Sequence, residues 1–113
     1  VAYLYDLIDR GNPVGLFGMV NVLEGTSIAL ATQAAGTIQS TLALPDRAFS
    51  YLSSHGALDQ DHMVTYRQLM DRLDDADDQR AVIQAAKVVY RLYTDMFQGL
   101  PRAGLQEVRH ALA

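Results

Sequence analysis

With 113 residues, half of them apolar and 19% charged, the chain has globular rather than disordered composition, and one compact domain over residues 1–113 is expected, with no second one. The net charge is -4 and the nine basic residues are scattered, mostly over the second half, so no basic stripe for nucleic acid is expected. The absence of cysteine removes disulfides, thiol nucleophiles and thiolate metal sites together, and fits a cytoplasmic protein.

Asp6, Asp9 and Arg10 stand where a signal peptide would need a basic start and an apolar run, so none is expected. Starting at Val1 is what a processed end or a piece of a longer protein would give. Leu4, Tyr5, Leu7 and Ile8 form a helical stripe that stops at Gly11. Asn12-Pro13 then offers a cap residue followed by proline at the first helical position. The spacing predicts a long helix from Pro13 to about Leu42, rich in Gly and Ala, with room for a bend near Gly25 or Gly36. Its uncharged half, Gly25 to Pro45, carries Thr26, Ser27, Thr32, Gln33, Thr37, Gln39, Ser40 and Thr41. That reads as too polar for lipid, so no membrane is expected.

Leu44-Pro45 should end this helix and Asp46 should cap the next, whose apolar side begins with Ala48, Phe49 and Leu52. Leu58, Met63, Tyr66, Leu69, Met70 and Leu73 continue that stripe to about Leu73. The acidic run Asp74 to Asp78 reads as a solvated turn and a helix start, because carboxylates favour the positive end of a helix dipole. From Asp78 to Gln98 the positions Val82, Ile83, Ala86, Val89, Tyr90, Tyr93, Met96 and Phe97 give the clearest amphipathic helix, closed by Gly99 and Pro101. Arg102 to Ala113 is a short docked helix, through Leu105, Val108 and Leu112, or a frayed end. With no strand alternation and no repeat, the fold class is all-α, a bundle of four to five helices.

One run speaks of chemistry. His55, Asp59 and His62 are spaced H-x3-D-x2-H, which on a helix places them within an arc of roughly 60°. Two imidazoles and a carboxylate facing one spot suit a non-haem iron or manganese ion; on these residues alone, a solvent-facing polar set is the competing account. Glu24 is the only charged residue between Gly11 and Asp46. A carboxylate in such a stretch either faces solvent or has a partner such as a metal ion. Together, the four groups could converge between two packed helices, as in dinuclear iron bundles, although the Glu-x-x-His signature of ferritin-like proteins is absent. Tyr51 and Tyr66 flank the histidine face by one turn and serve either as hydrogen-bonding or redox-active neighbours of the metal, or as packing aromatics. His110 stands alone and is expected to be exposed. No Ser-His-Asp set, phosphate loop or nucleotide fingerprint occurs.

The segments Gly18 to Ser27 (GMVNVLEGTS), Leu42 to Pro45 (LALP) and Tyr51 to His62 (YLSSHGALDQDH) resemble the haem-oxygenase-like iron-containing redox enzymes, a diiron oxidase/oxygenase family. The resemblance runs from about Pro13 to Leu100. It implies a helical bundle of haem-oxygenase topology that holds two non-haem irons and activates O2 on a small organic substrate. Glu24 matches the family's mid-helix glutamate, and His55, Asp59 and His62 match its H-x3-D-x2-H helix. The family also uses a glutamate and a histidine seven residues apart on an earlier helix, in domains about twice this length. Only Asp6 and Asp9 precede Pro13 here, and no histidine precedes His55. The chain thus resembles the carboxy-terminal half of such a domain. Another segment or subunit would complete the site, or the site is mononuclear or lost. Missing helices would leave apolar faces bare, so a homo-oligomer, a homodimer first, is expected. Relatives of the same fold fit less well: thiaminase II-like hydrolases need a cysteine, and haem oxygenase needs an early proximal histidine. Two other readings stand beside the oxidoreductase. One is a metal-free interaction or assembly module. The other is a bundle that binds a small organic ligand, lined by Met19, Met63, Tyr66 and Phe97.

Overall fold

A computed structural model describes residues 1–100, so the expectations for the tail from Arg102, His110 among them, lie outside the described residues. Helix α1 (Ala2–Arg10) is followed by a 3-10 turn (Pro13–Gly15), α2 (Leu16–Leu42), a second 3-10 turn (Asp46–Phe49), α3 (Ser50–Met70) and α4 (Ala76–Gln98). No strand occurs among the described residues.

The boundaries follow from local chemistry. Asn12 accepts the Val14 N–H at 3.0 Å and donates its amide to Asp78 at 2.6 Å, so one residue both opens the helical segment and ties it to α4. Helix α2 ends at Leu42, where the spacing predicts, because Pro45 keeps the residue before it out of the helical region. Ala43 absorbs the reversal in the left-handed region, at φ 51°. Asp46 does not cap the following turn; it accepts a hydrogen bond from Gln39 at 2.5 Å instead. Helix α3 stops at Met70 rather than Leu73, where the chain tightens into i+3 hydrogen bonds and Gln79 donates to the Leu73 carbonyl at 2.6 Å. Asp75 caps α4 by accepting the N–H groups of Asp77 and Asp78 at 2.8 and 3.0 Å, so the helix begins at Ala76.

Helix α2 is the middle of the molecule. It runs antiparallel to α3, with Phe17 near Tyr66 and Ser27 on Asp59, and parallel to α4, with Gly18 on Val82 and Ala86. A side chain at Gly18 would collide with the Val82 carbonyl and the Ala86 amide, which is why a glycine sits where α2 and α4 meet. No α3–α4 contact joins the two outer helices. With α3 and α4 each packed on α2 but not on each other, the described residues form an open slab with a thin core of Val22, Ala31, Phe49, Met63, Val82, Ala85 and Val89, leaving Leu30, Ile38, Leu58, Val64 and Ile83 exposed.

Pro13–Leu42 is long and apolar enough to cross a membrane by length and composition, with mean hydropathy 1.5 in its best window, 17% of it buried. The polar residues do not prevent this, because the hydroxyls of Thr26, Thr32, Thr37 and Thr41 donate to carbonyls four residues earlier in the same helix. Both long flanks of this helix nonetheless receive α3 and α4, with Glu24 on the side of α3.

Candidate metal centre

The antiparallel pairing of α2 and α3 brings Glu24 opposite His62 and Ser27 opposite Asp59. One ligand atom from each of Glu24, Asp59 and His62 lies within 4.8 Å of the other two. His62 Nδ1 is 3.4 Å from Glu24 Oε2 and 3.7 Å from Asp59 Oδ1. Donors about 2.1 Å from a common ion are separated by about 3 Å when adjacent and 4 Å when opposite, and the two gaps to His62 fall in that range.

Asp59 is the buried member, 6% exposed, and the one buried polar or charged residue among the described ones. Its neighbour across the interface is the neutral Ser27 hydroxyl, and no lysine or arginine pairs with it or with Glu24 among the described residues. A buried carboxylate with a second carboxylate beside it and no fixed cation is a donor set that a divalent metal would complete. The side chains of Glu24 and His62 are 32% and 55% exposed, which leaves the group open on one side.

His55 is not part of this three-residue group. It lies one turn before Asp59, where its Nδ1 contacts the Tyr51 carbonyl at 3.0 Å and its ring lies against the Tyr51 ring, with centroids 3.9 Å apart. A carbonyl only accepts, so Nδ1 donates in this contact and Nε2 takes no part in it. Tyr51 thereby orients His55. Tyr66 sits on the other side of the group, tilted against Phe17 at 6.5 Å, where burial raises its phenol above the ordinary value.

Two cavities meet at Glu24 and His62. The larger, about 1070 Å³, is a trough on α2 between α3 and α4, with Leu23, Leu30, Ile38, Leu52, Tyr93 and Phe97 in its walls; Glu24, Ser27, His55, Asp59 and His62 also line it. The smaller, about 320 Å³, follows the α2–α3 seam along Phe17, Val20, Thr65, Tyr66 and Leu69. The lining expected from the sequence holds for Phe97 alone in the larger cavity: Met63 is core, Met19 lines neither cavity, and Tyr66 belongs to the smaller one. The residue that the sequence reading passed over is Ser27. Its signal was its position three residues after Glu24, on the same face of α2.

The chain is thus an all-α slab whose antiparallel helices bring two carboxylates and an imidazole together as a candidate metal centre. The sequence profile of the iron-containing redox enzymes matches residues 1–94, and the chain belongs to that family, with its haem-oxygenase-like all-α fold. Neither a curated protein nor a solved structure matches it.

Proposed function

We propose that the chain supplies the metal-binding helices of a non-haem iron oxidoreductase that activates O2 on a small organic substrate. The observation that carries this reading is the convergence of Glu24, Asp59 and His62 at a cavity whose other walls are largely apolar. Two carboxylates bring two negative charges to one spot and suit a divalent ion, and three protein donors leave positions for exogenous molecules. When bound, iron would supply the one-electron chemistry that no side chain here provides.

The chain's own residues do the rest. Asp59 contributes a carboxylate largely shielded from water, where its attraction for a cation is screened less than at the surface. His62 and Glu24 close the group from facing helices and line both cavities, so a molecule in either trough reaches the same atoms. Leu30, Ile38, Tyr93 and Phe97 give an organic substrate an apolar surface and displace water from it. His55, with Nε2 free, is the fourth donor of the reading, for a second ion whose remaining ligands come from another segment or subunit. Manganese(II) accepts the same donors and is the alternative metal.

The uncovered slab supports a further part of the reading, a homo-oligomer that buries Leu58, Val64 and Ile83, which are exposed and line neither cavity. The same bare faces favour the second account, a metal-free assembly module. Oxygen uptake after anaerobic loading with iron(II) separates the two. The oxidoreductase reading expects uptake by the wild type in the presence of a reductant and its loss in Asp59→Asn. Uptake that is equal in both proteins, or absent from both, contradicts it.

A further inference from the structure

Ser27 lies on α2 against the Asp59 carboxylate and is not one of the three grouped donors. Its hydroxyl lies 2.9 Å from the Glu24 carbonyl and in close contact with Asp59 Oδ2. A hydroxyl has one proton, and the carboxylate is the stronger acceptor, so the hydrogen bond goes to Asp59. The other carboxylate oxygen, Oδ1, is the one 3.7 Å from His62 Nδ1. The two oxygens of Asp59 thus have different surroundings: one is held by α2, the other faces the ligand group.

We propose, resting on the metal reading above, that Ser27 is a positioning residue that makes Asp59 a one-oxygen ligand. The terminal torsion of an aspartate is broad and roughly two-fold, so an unrestrained carboxylate rotates and can present both oxygens to an ion. The Ser27 hydrogen bond occupies Oδ2 and fixes the carboxylate plane. A coordination position that a bidentate aspartate would fill then stays open on the side of the larger cavity, which Ser27, Asp59 and His62 all line. Glu24 and Ser27 are three residues apart on α2, so one helix face delivers a ligand and also sets the pose of the ligand opposite.

The test compares wild type, Ser27→Ala and Ser27→Thr, each titrated with cobalt(II) against a chromogenic chelator and followed by visible absorption. Alanine is the better helix former, so the substitution preserves α2, and circular dichroism of the metal-free proteins checks this. Ser27→Ala should bind cobalt about 10–100-fold more weakly and show a changed cobalt spectrum. Ser27→Thr, which keeps the hydroxyl, should restore both. Equal affinity and superimposable spectra for wild type and Ser27→Ala overturn the role of Ser27 while leaving the metal site standing. A changed spectrum in both variants shows that packing at residue 27 matters rather than its hydroxyl, and also overturns it. Absence of cobalt and iron binding by the wild type sinks the metal reading itself, and the Ser27 role with it.

Discussion

Glu24 Oε2 and His62 Nδ1 lie 3.4 Å apart across the antiparallel α2–α3 pair, although 38 positions separate them in the chain (62 − 24). Metal or no metal, this is the contact that joins the two halves of the candidate centre. Replacing Glu24 by Gln keeps the shape and removes the charge. The expected result is iron(II) or cobalt(II) affinity lower by at least about 10-fold, with the helix content unchanged, as measured by chelator competition and circular dichroism.

Gly18 and Gly36 form a matched pair of stability tests on α2. A Cβ at Gly18 would collide with the Val82 carbonyl and the Ala86 amide, whereas one at Gly36 meets nothing within 4 Å. Gly18→Ala should therefore destabilise the protein by about 3 kcal/mol through overpacking. Gly36→Ala should stabilise it by about 0.5–1 kcal/mol, because alanine loses less entropy in a helix. Urea unfolding reads both signs.

At the far end of the same helix, Ala43 pays for a left-handed turn that glycine would adopt freely. Ala43→Gly is expected to raise stability by about 1 kcal/mol, seen as a higher urea midpoint with an unchanged slope.

Burial raises the Tyr66 phenol above its ordinary value of 10.0. The folded state thus keeps the proton to a higher pH than the unfolded state. The stability carried by the neutral phenol is complete below pH 10.0 and is lost as pH rises through the raised folded value. Tyr66→Phe should remove this component, so its melting temperature should fall less steeply than that of the wild type in alkaline buffers. The tyrosinate absorbance of the two proteins, taken as a difference, should place the Tyr66 transition above those of exposed tyrosines.

The helices were legible because their signals are local. Asn12-Pro13, Gly11, Pro45 and the acidic run around Asp75 each mark a boundary by their own backbone chemistry, and the apolar stripe of α4 needs no partner to be seen. Asp46 was misread because the hydrogen bond from Gln39, seven residues earlier, outcompetes a cap, and no local pattern announces that. The metal group was legible in its types and spacing. Yet H-x3-D-x2-H could not tell that Asp59 and His62 face Glu24 while His55 turns to the Tyr51 carbonyl one turn earlier. That choice depends on the α2–α3 register, which Gly56 helps to set, since a Cβ there would come within 3.3 Å of the Thr32 hydroxyl. Ser27 escaped notice for the same reason: its importance lies across the interface.

Iron content per chain tests the central claim most directly. Protein purified after iron supplementation and desalting should hold about one iron for each chain, and Asp59→Asn and His62→Ala should each lose most of it while staying helical. His55→Ala should lose less, since it stands apart from the three-residue group. A wild type without iron or manganese, or variants that retain as much as the wild type, would contradict the assignment of Glu24, Asp59 and His62 as the metal centre.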